Sequence, residues 1–395
     1  MCRKKRLSEL VFLTGIIIIA ICLCSPNGWA QKKAYKMPNV VYWAAADVGS
    51  VLYAIPATVT EKIAPALGSK IRMIPGNDVE RLNMMRTGKA HLATMAADAY
   101  WAAMGLSYYC TFAMGPQPIR IIWAGWPYVA GSTGLVTAAS GIKTPYDLKG
   151  KRMGVVVGAA WSIEGVKANL AWGKLTTSDV TLVEVGTTGA VNKALTEGKI
   201  DFTMGAPNAP GFYEAEASPH GAYLVRYSHD DKEGWERYRN FMPYHVPGYS
   251  TVGATIKPGE KVPTPMYAFP ITLCLADQRD EFVYAICKAH YDKMDEIVTA
   301  YPGNEAMKPE RAIIPEITSM APFHPGAIKF YKSIGRWNAA LEDAQKKKLA
   351  HLDKVNKRWA VFAEEAQDRI AKTGKKVDLN KEWRDILDKE VGLTP

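Results

Sequence analysis

The chain has 395 residues, more than one hydrophobic core usually serves, so two domains with an appendage are expected. Lys and Arg number 49 against 39 Asp and Glu, a formal charge of +10. They are scattered and form no stripe, which argues against nucleic acid as a partner and leaves only a weak pull on small anions.

The first segment, residues 1–30, reads as an export signal. Arg3-Lys4-Lys5-Arg6 is its cationic start, Leu10 to Leu23 its apolar stretch and Gly28-Trp29-Ala30 its cleavage site. The apolar stretch is shorter than the roughly 20 residues of a membrane span. Ile21 and Leu23 stand where a lipidated cysteine needs a small neighbour. A soluble protein exported across the cytoplasmic membrane and cleaved near Ala30 is therefore expected. Four basic residues and one acidic residue lie in the leader, leaving 45 against 38, a net +7. Three cysteines also lie there. The remaining Cys110, Cys274 and Cys287 are too few for a disulfide framework and read as buried thiols, although one pair would still allow a bridge.

After the leader, Val40 to Trp43 is a strand, Ala44 to Ser50 a loop of small residues, and a helix runs through Ile63. A second strand covers Ile71 to Ile74, and a third, near Ile119 to Trp123, leads into a crossover from Gly125 to Gly134. Met153 to Val157 starts the same sequence again, followed by the loop Gly158 to Ser162 and another helix. Tyr223 to Tyr227 reads as a strand, the Pro- and Gly-rich stretch from Pro243 to Pro265 as an ordered loop, Ala268 to Ala276 as a strand and Glu281 to Ala300 as a helix. Beyond Gly335, Trp337, Leu341, Leu349, Leu352, Val355 and Trp359 recur at helical spacing. In that tail Lys346-Lys347-Lys348 is read as a solvated face.

Residues 76–99 and 186–209 match at a constant offset of 110 positions. Each unit has an apolar run, Gly, small polar residues, a helix-period segment, Gly-Lys and a second apolar run. That pattern is strand, helix, strand, with Gly-Lys as the helix stop. Two such units imply two similar α/β lobes with a ligand cleft between them. The expected domains are residues 31–130 (first part of lobe I), 131–227 (lobe II), 228–335 (return segment and rest of lobe I) and 336–395 (helical extension).

Ligands in open α/β sheets bind beyond the carboxyl ends of strands, where helix N-termini offer unpaired N–H groups. Ser50, Asn77, Ser162 and Thr187 stand at such junctions, where each is a ligand contact, a helix cap or both. Asp98 and Asn208 share one repeat position and are expected to face each other, touching ligand or closing the lobes; the alternative is an Asx turn. Tyr53, Trp101, Trp161 and Tyr249 are aromatic candidates at the mouth, whereas Trp43 and Trp126 fit core packing better. Trp161 sits on a small-residue loop at a helix start and would cover a flat or apolar part of a ligand. Asp47 and Ser50 on one loop against Trp161 and Ser162 on the other make the two walls chemically unlike.

No catalytic constellation stands out. Ser140 and Lys143 lie in a turn, no histidine has a partner at metal-ligand spacing, and neither a phosphate-binding glycine loop nor a Gly-x-Ser-x-Gly elbow occurs. No enzyme activity, cofactor or metal is expected.

Several blocks together resemble one family: Asp47-Val-Gly-Ser50 with Tyr53, Gly76-Asn77 to Asp98, Ser140-Gly-Ile-Lys143 with Asp147-Leu-Lys-Gly-Lys151, Ala194 to Asp201, Pro243-Tyr244, Val283-Tyr284 and His324-Pro-Gly-Ala327. Over roughly Asn39 to Gly335 the chain is similar to TAXI-type solute receptors of TRAP transporters. The resemblance implies a two-lobed periplasmic-binding-protein fold with a hinge, here with a C-terminal helical extension. It implies a periplasmic receptor that captures a small organic anion, carboxylate or amino acid-like, and passes it to a TRAP permease; a monomer is expected. The loops Ala44 to Ser50 and Ala159 to Ser162 depart from that family's usual Gly/Thr and Gly-Ser-Gly-Thr patterns. A receptor for an ATP-driven importer and a periplasmic enzyme on the same scaffold are the alternatives.

Overall fold

The computed structural model describes residues 35–48, 50–126 and 133–395; the leader and residues 127–132 of the expected crossover hinge lie outside the described residues. Both lobes are built from Met37–Pro395. In the first sheet β1 (Val40–Ala45) pairs in parallel with β2 (Lys70–Pro75) and β3 (Leu92–Met95). One reversed strand, β12 (Ile271–Leu275), pairs antiparallel with β3 and with β4 (Ile119–Ala124), giving the order β2-β1-β3-β12-β4.

The second sheet repeats the plan. Its parallel strands are β6 (Arg152–Val156), β7 (Thr181–Val185) and β8 (Phe202–Gly205), and the reversed strand β5 (Thr133–Thr137) pairs antiparallel with β8 and with β9 (Ala222–Leu224), in the order β7-β6-β8-β5-β9. The fold is α/β with two lobes. β5 enters lobe II ahead of its parallel strands, whereas β12 returns to lobe I after lobe II is built, so the chain passes between lobes twice.

The helices of lobe I include α1 (Val51–Leu67), α2 (Asp78–Arg86) and α3 (Asp98–Met104); lobe II carries α4 (Ala160–Trp172), α5 (Thr188–Thr196) and α6 (Pro210–Ala217). The offset of 110 is kept at the starts of α2 and α5, and of β3 and β8. Asn77 Oδ1 accepts the Glu80 N–H at 2.9 Å, and Thr187 Oγ1 accepts the Ala190 N–H at 3.1 Å. Each is an N-cap satisfying an orphan donor of the first turn. Gly88 (φ +71°) and Gly198 (φ +65°) end the two helices in the left-handed region, where a β-carbon is penalised.

Lobe II extends past the expected boundary at Tyr227. Helix α7 (Lys232–Arg239) packs on α4. Trp172 of α4 meets Tyr227, Trp235 and Tyr238 edge-on at centroid distances of 5.3, 5.1 and 5.8 Å. Ala254 and Val262 also join the lobe II core. The stretch expected as a loop holds a hairpin, β10 (Val246–Ser250) with β11 (Val262–Met266), because its prolines fall where an isolated two-stranded ribbon tolerates a missing N–H. The helix expected over Glu281 to Ala300 is two, α8 (Asp280–Asp292) and α9 (Met294–Ala300), separated at Lys293. Helices α10 (Pro309–Ala312) and α11 (Pro325–Ser333) complete lobe I.

The extension is α12 (Ala339–Thr373) followed by α13 (Leu379–Ile386). Leu341, Gln345, Lys348, Leu352 and Val355 form the buried face of α12, an alternation of four and three along one side of a helix. Leu349, expected inside, is 38% exposed. The solvated-lysine reading holds for Lys346 and Lys347 but not for Lys348, which is fully buried. Successive helix residues point about 100° apart, so a run of three lysines cannot share one face. Lys348 Nζ donates to Ser319 O at 3.0 Å and lies 5.4 Å from the Tyr100 ring centre. Cys110, Cys274 and Cys287 are free and buried. Among the described residues no helix is long and apolar enough to cross a membrane.

Burial brings the Lys348 ammonium down to about 7 from 10.5. The unfolded chain therefore binds the extra proton between these values, so stability lost to this group grows as pH falls from 10.5 toward 7, each pKa unit being worth about 1.4 kcal/mol. Lys348→Met is expected to raise the thermal midpoint most near pH 7, with the gain over wild type shrinking toward pH 10.5. Parallel curves of midpoint against pH would refute this account.

Candidate functional site

Helix α4 begins without a cap of its own. Its N-cap is Ala159, and no side chain of the same lobe accepts its first amides. The missing acceptor comes from lobe I. Asp98, the first residue of α3, accepts the Ala160 N–H on Oδ1 at 3.0 Å and the Trp161 N–H on Oδ2 at 3.3 Å. Tyr109 donates its hydroxyl to the same Oδ1 at 3.2 Å. A carboxylate at the positive end of a 13-residue helix is favoured by both the dipole and the unpaired N–H groups. Asp98 is completely buried, so these bonds act with little screening by water.

Beneath it lies an ion pair. Arg81 Nη2 contacts Asp78 Oδ1, and Arg81 Nη1 donates to Thr94 O at 2.9 Å. Thr94 in turn accepts the Trp43 indole N–H at 2.8 Å. Asp78 holds this buried guanidinium directly, and the buried Asp98 carboxyl feels its charge without contacting it. Burial pushes the Asp98 carboxyl well above its usual range, and the neighbouring Asp78 adds to that; Arg81 and the two amides pull the other way. Asp78 is also raised by burial, with Arg81 opposing. Burial and the Asp98 charge raise the Tyr109 hydroxyl, which keeps it a donor.

An aromatic wall stands nearby. Tyr244 lies 5.0 Å from Tyr100, 5.6 Å from Trp101 and 5.8 Å from Tyr267, ring centre to ring centre. The Trp101 indole N–H is buried with no acceptor. Asn77 closes the lobes at a second point: Gly158 has φ +78°, and a β-carbon there would lie 3.4 Å from Asn77 Nδ2. Among the described residues no group of three or more His, Cys, Asp and Glu is placed to hold a metal ion.

A family model described as the NMT1-like family matches residues 43–335. The chain belongs to the NMT1-like family. Among solved structures it is similar to an ancestral arginine-binding protein bound to arginine, with 15% identity, 69% of this chain and 99% of that one covered, and a TM-score of 0.43. It is also similar to the alkanesulfonate-binding protein SsuA from Xanthomonas axonopodis pv. citri bound to MOPS (16% identity, 79% and 85% covered, TM-score 0.41). A third is the amino acid ABC transporter substrate-binding protein AbpA from Streptococcus pneumoniae bound to L-arginine (13% identity, 67% and 96% covered, TM-score 0.40). No curated protein matches.

In this NMT1-like chain the residues singled out by sequence fall into three places. Asp98, Asn77 and the backbone of Trp161 meet at the contact between lobes. Asp98 reaches the start of α4, whereas Asn208, two residues before α6, is half-buried on lobe II. Ser50 is the N-cap position of α1 but donates its hydroxyl to Asp47 O at 2.7 Å instead of capping; Asp47 and Tyr53 are half-buried beside it. Thr187 is an exposed cap of α5.

The other side chains are engaged elsewhere. Trp101 is fully buried and belongs to the aromatic wall, and Ser162 is fully buried with its hydroxyl accepting the Val156 N–H at 2.9 Å. Trp161 packs its ring against the lobe II core. Tyr249 sits on β10 against His229 and lines a separate lobe II cavity of 330 Å³ with Tyr146, Trp172 and Arg226. Sequence reasoning missed Asp78, Arg81, Tyr109 and Tyr244. The i, i+3 spacing of Asp78 and Arg81 at a helix start was the available signal for the first two.

Removing Arg81 would leave Asp78 and Asp98 without their cation. Arg81→Met is expected to cost about 3–5 kcal/mol at neutral pH. Both acids would then have folded pKa values raised further above the unfolded ones, so the deficit shrinks as pH falls and grows as pH rises through the folded values. Urea unfolding at two pH values checks this; a deficit larger at the lower pH contradicts it.

Proposed function

We propose that this chain is an extracytoplasmic receptor that closes its lobes on a small carboxylate-bearing solute of amino acid-like character and delivers it to a TRAP permease. The observation that supports this reading is the start of α4, where the amides of Ala160 and Trp161 hold a carboxylate oxygen each. In the present state that carboxylate is Asp98. A solute carboxylate taking these two amides replaces like with like. Asp98 then needs a new partner, and a solute ammonium supplies one while relieving the surplus of negative charge around Arg81. An acid lacking such a group leaves Asp98 buried and either unpaired, which is costly, or protonated, which its burial favours.

Asn77, Ser50, Asp47 and Tyr53 on lobe I and Thr187 and Asn208 on lobe II are the side chains that this reading places around the solute. Export by the leader and a periplasmic location complete the proposal.

Thermal unfolding in the presence of amino acids, dicarboxylates and aromatic acids tests it. A true solute at one hundred times its Kd is expected to stabilise the fold by about 2.7 kcal/mol, and amino acids should outrank the corresponding simple acids. No shift with any member of the panel would sink the proposal. A ranking that places simple acids first would remove the ammonium from it.

A further inference from the structure

The lobes of a receptor are ordinarily brought together by solute contacts to both walls. Here three sets of contacts internal to the chain already do so. Asp98 of lobe I holds the first amides of α4. Glu164, buried on α4, accepts the Ser107 hydroxyl of lobe I at 3.3 Å. The third set comes from the C-terminal extension, which touches both lobes within one short helix, α13.

On lobe I, Trp383 is fully buried, donates its indole N–H to Met104 O at 3.0 Å, and stacks on Phe362 of α12 at 5.5 Å. Asn380 Oδ1 accepts the Ser107 N–H at 2.8 Å. Ser107 has φ +56°, a conformation that costs a non-glycine residue of order 1–3 kcal/mol and needs such support. On lobe II, Arg384 reaches Glu164 Oε2 at 3.2 Å and Asn240 O, with its guanidinium 4.8 Å from the Phe241 ring centre. Beyond α13, Leu393 O accepts the Tyr100 hydroxyl at 2.7 Å.

We propose that Asp98 is an internal stand-in for a solute carboxylate and that α13 is a latch across the two lobes, so that this receptor rests closed without solute and must be unlatched to load. The wiring supports a latch over a simple packing role. Glu164 is the shared acceptor of Ser107 and Arg384, so the same buried carboxylate ties α4 to lobe I and to the extension. Opening the lobes breaks the Asp98 bonds and the Arg384 bonds together, and it takes Ser107 and Arg384 from Glu164, leaving that buried carboxylate only Lys167 of its own helix, at 3.0 Å. The latch belongs to the chain itself and stands whatever the solute proves to be.

Hydrogen exchange and small-angle scattering on the full, solute-free chain test it. The wild-type scattering profile should match the closed form, and an open profile overturns the proposal without any variant. Asp98→Ala and, separately, Arg384→Gln should each speed exchange at Ala160 and Trp161 by roughly tenfold or more, while β1 and β6 keep their protection. Arg384 is half-buried but belongs to neither hydrophobic core, so its replacement leaves the cores intact and serves as the decisive variant if Asp98→Ala loosens the whole fold. Unchanged exchange at the start of α4 in Arg384→Gln overturns the latch. Fast exchange there in the wild type overturns the stand-in.

Discussion

One carboxylate joining two lobes governs this structure. Helix α4 starts at an alanine pair, Ala159 and Ala160, and so lacks the hydroxyl or carboxamide that usually satisfies a first turn. Its orphan amides must find an acceptor or bind water. Asp98 supplies the acceptor from the other lobe, which ties the secondary structure of lobe II to the position of lobe I. The departure of the Ala159 to Ser162 loop from a Gly/Ser/Thr pattern and the burial of an acid opposite it are therefore two sides of one arrangement. A serine at position 159 would free Asp98, whereas an alanine requires it.

Electrostatics around that contact is tightly constrained. Asp78 and Asp98 compete for Arg81, and all three are cut off from water. Such a group tolerates no net addition of charge without a counter-charge. On the proposed function this bears on which solute is favoured: an anion without a cationic part adds negative charge beside these carboxyls, while a zwitterion redistributes it. The aromatic wall of Tyr100, Trp101, Tyr244 and Tyr267 lowers the local dielectric further and strengthens each of these preferences.

Much of the fold is legible in the sequence because it repeats. The cap residues Asn77 and Thr187, the glycine stops Gly88 and Gly198, and strands β3 and β8 all obey the 110-residue offset, since local backbone requirements recur wherever the same unit recurs. What is not legible depends on pairing between distant segments. Nothing near Asp98 in sequence announces that its partners are Ala160 and Trp161, 62 and 63 positions away. Trp161 reads as a lining residue on a small loop, but α4 already begins at Ala160 and turns the ring onto the lobe II core. Lys348 misleads for the opposite reason. Its neighbours are solvated, and only the angular step of the helix carries it inward.

The extension changes what closure means. In a receptor of two free lobes, solute binding energy offsets the cost of bringing the lobes together, and affinity falls by the fraction of time the lobes are apart. A chain whose lobes are held by Asp98, Glu164 and Arg384 inverts that balance: the closed state is populated at the outset, and the cost falls on opening. Loading then depends on how readily α13 releases Glu164, and solute affinity reflects the exchange of one carboxylate for another at α4. The solute's own contribution is correspondingly small unless it brings a group that Asp98 lacks. A positively charged one is favoured, because Asp98, once displaced, remains buried near the Asp78 carboxyl and the Arg81 guanidinium that Asp78 already holds.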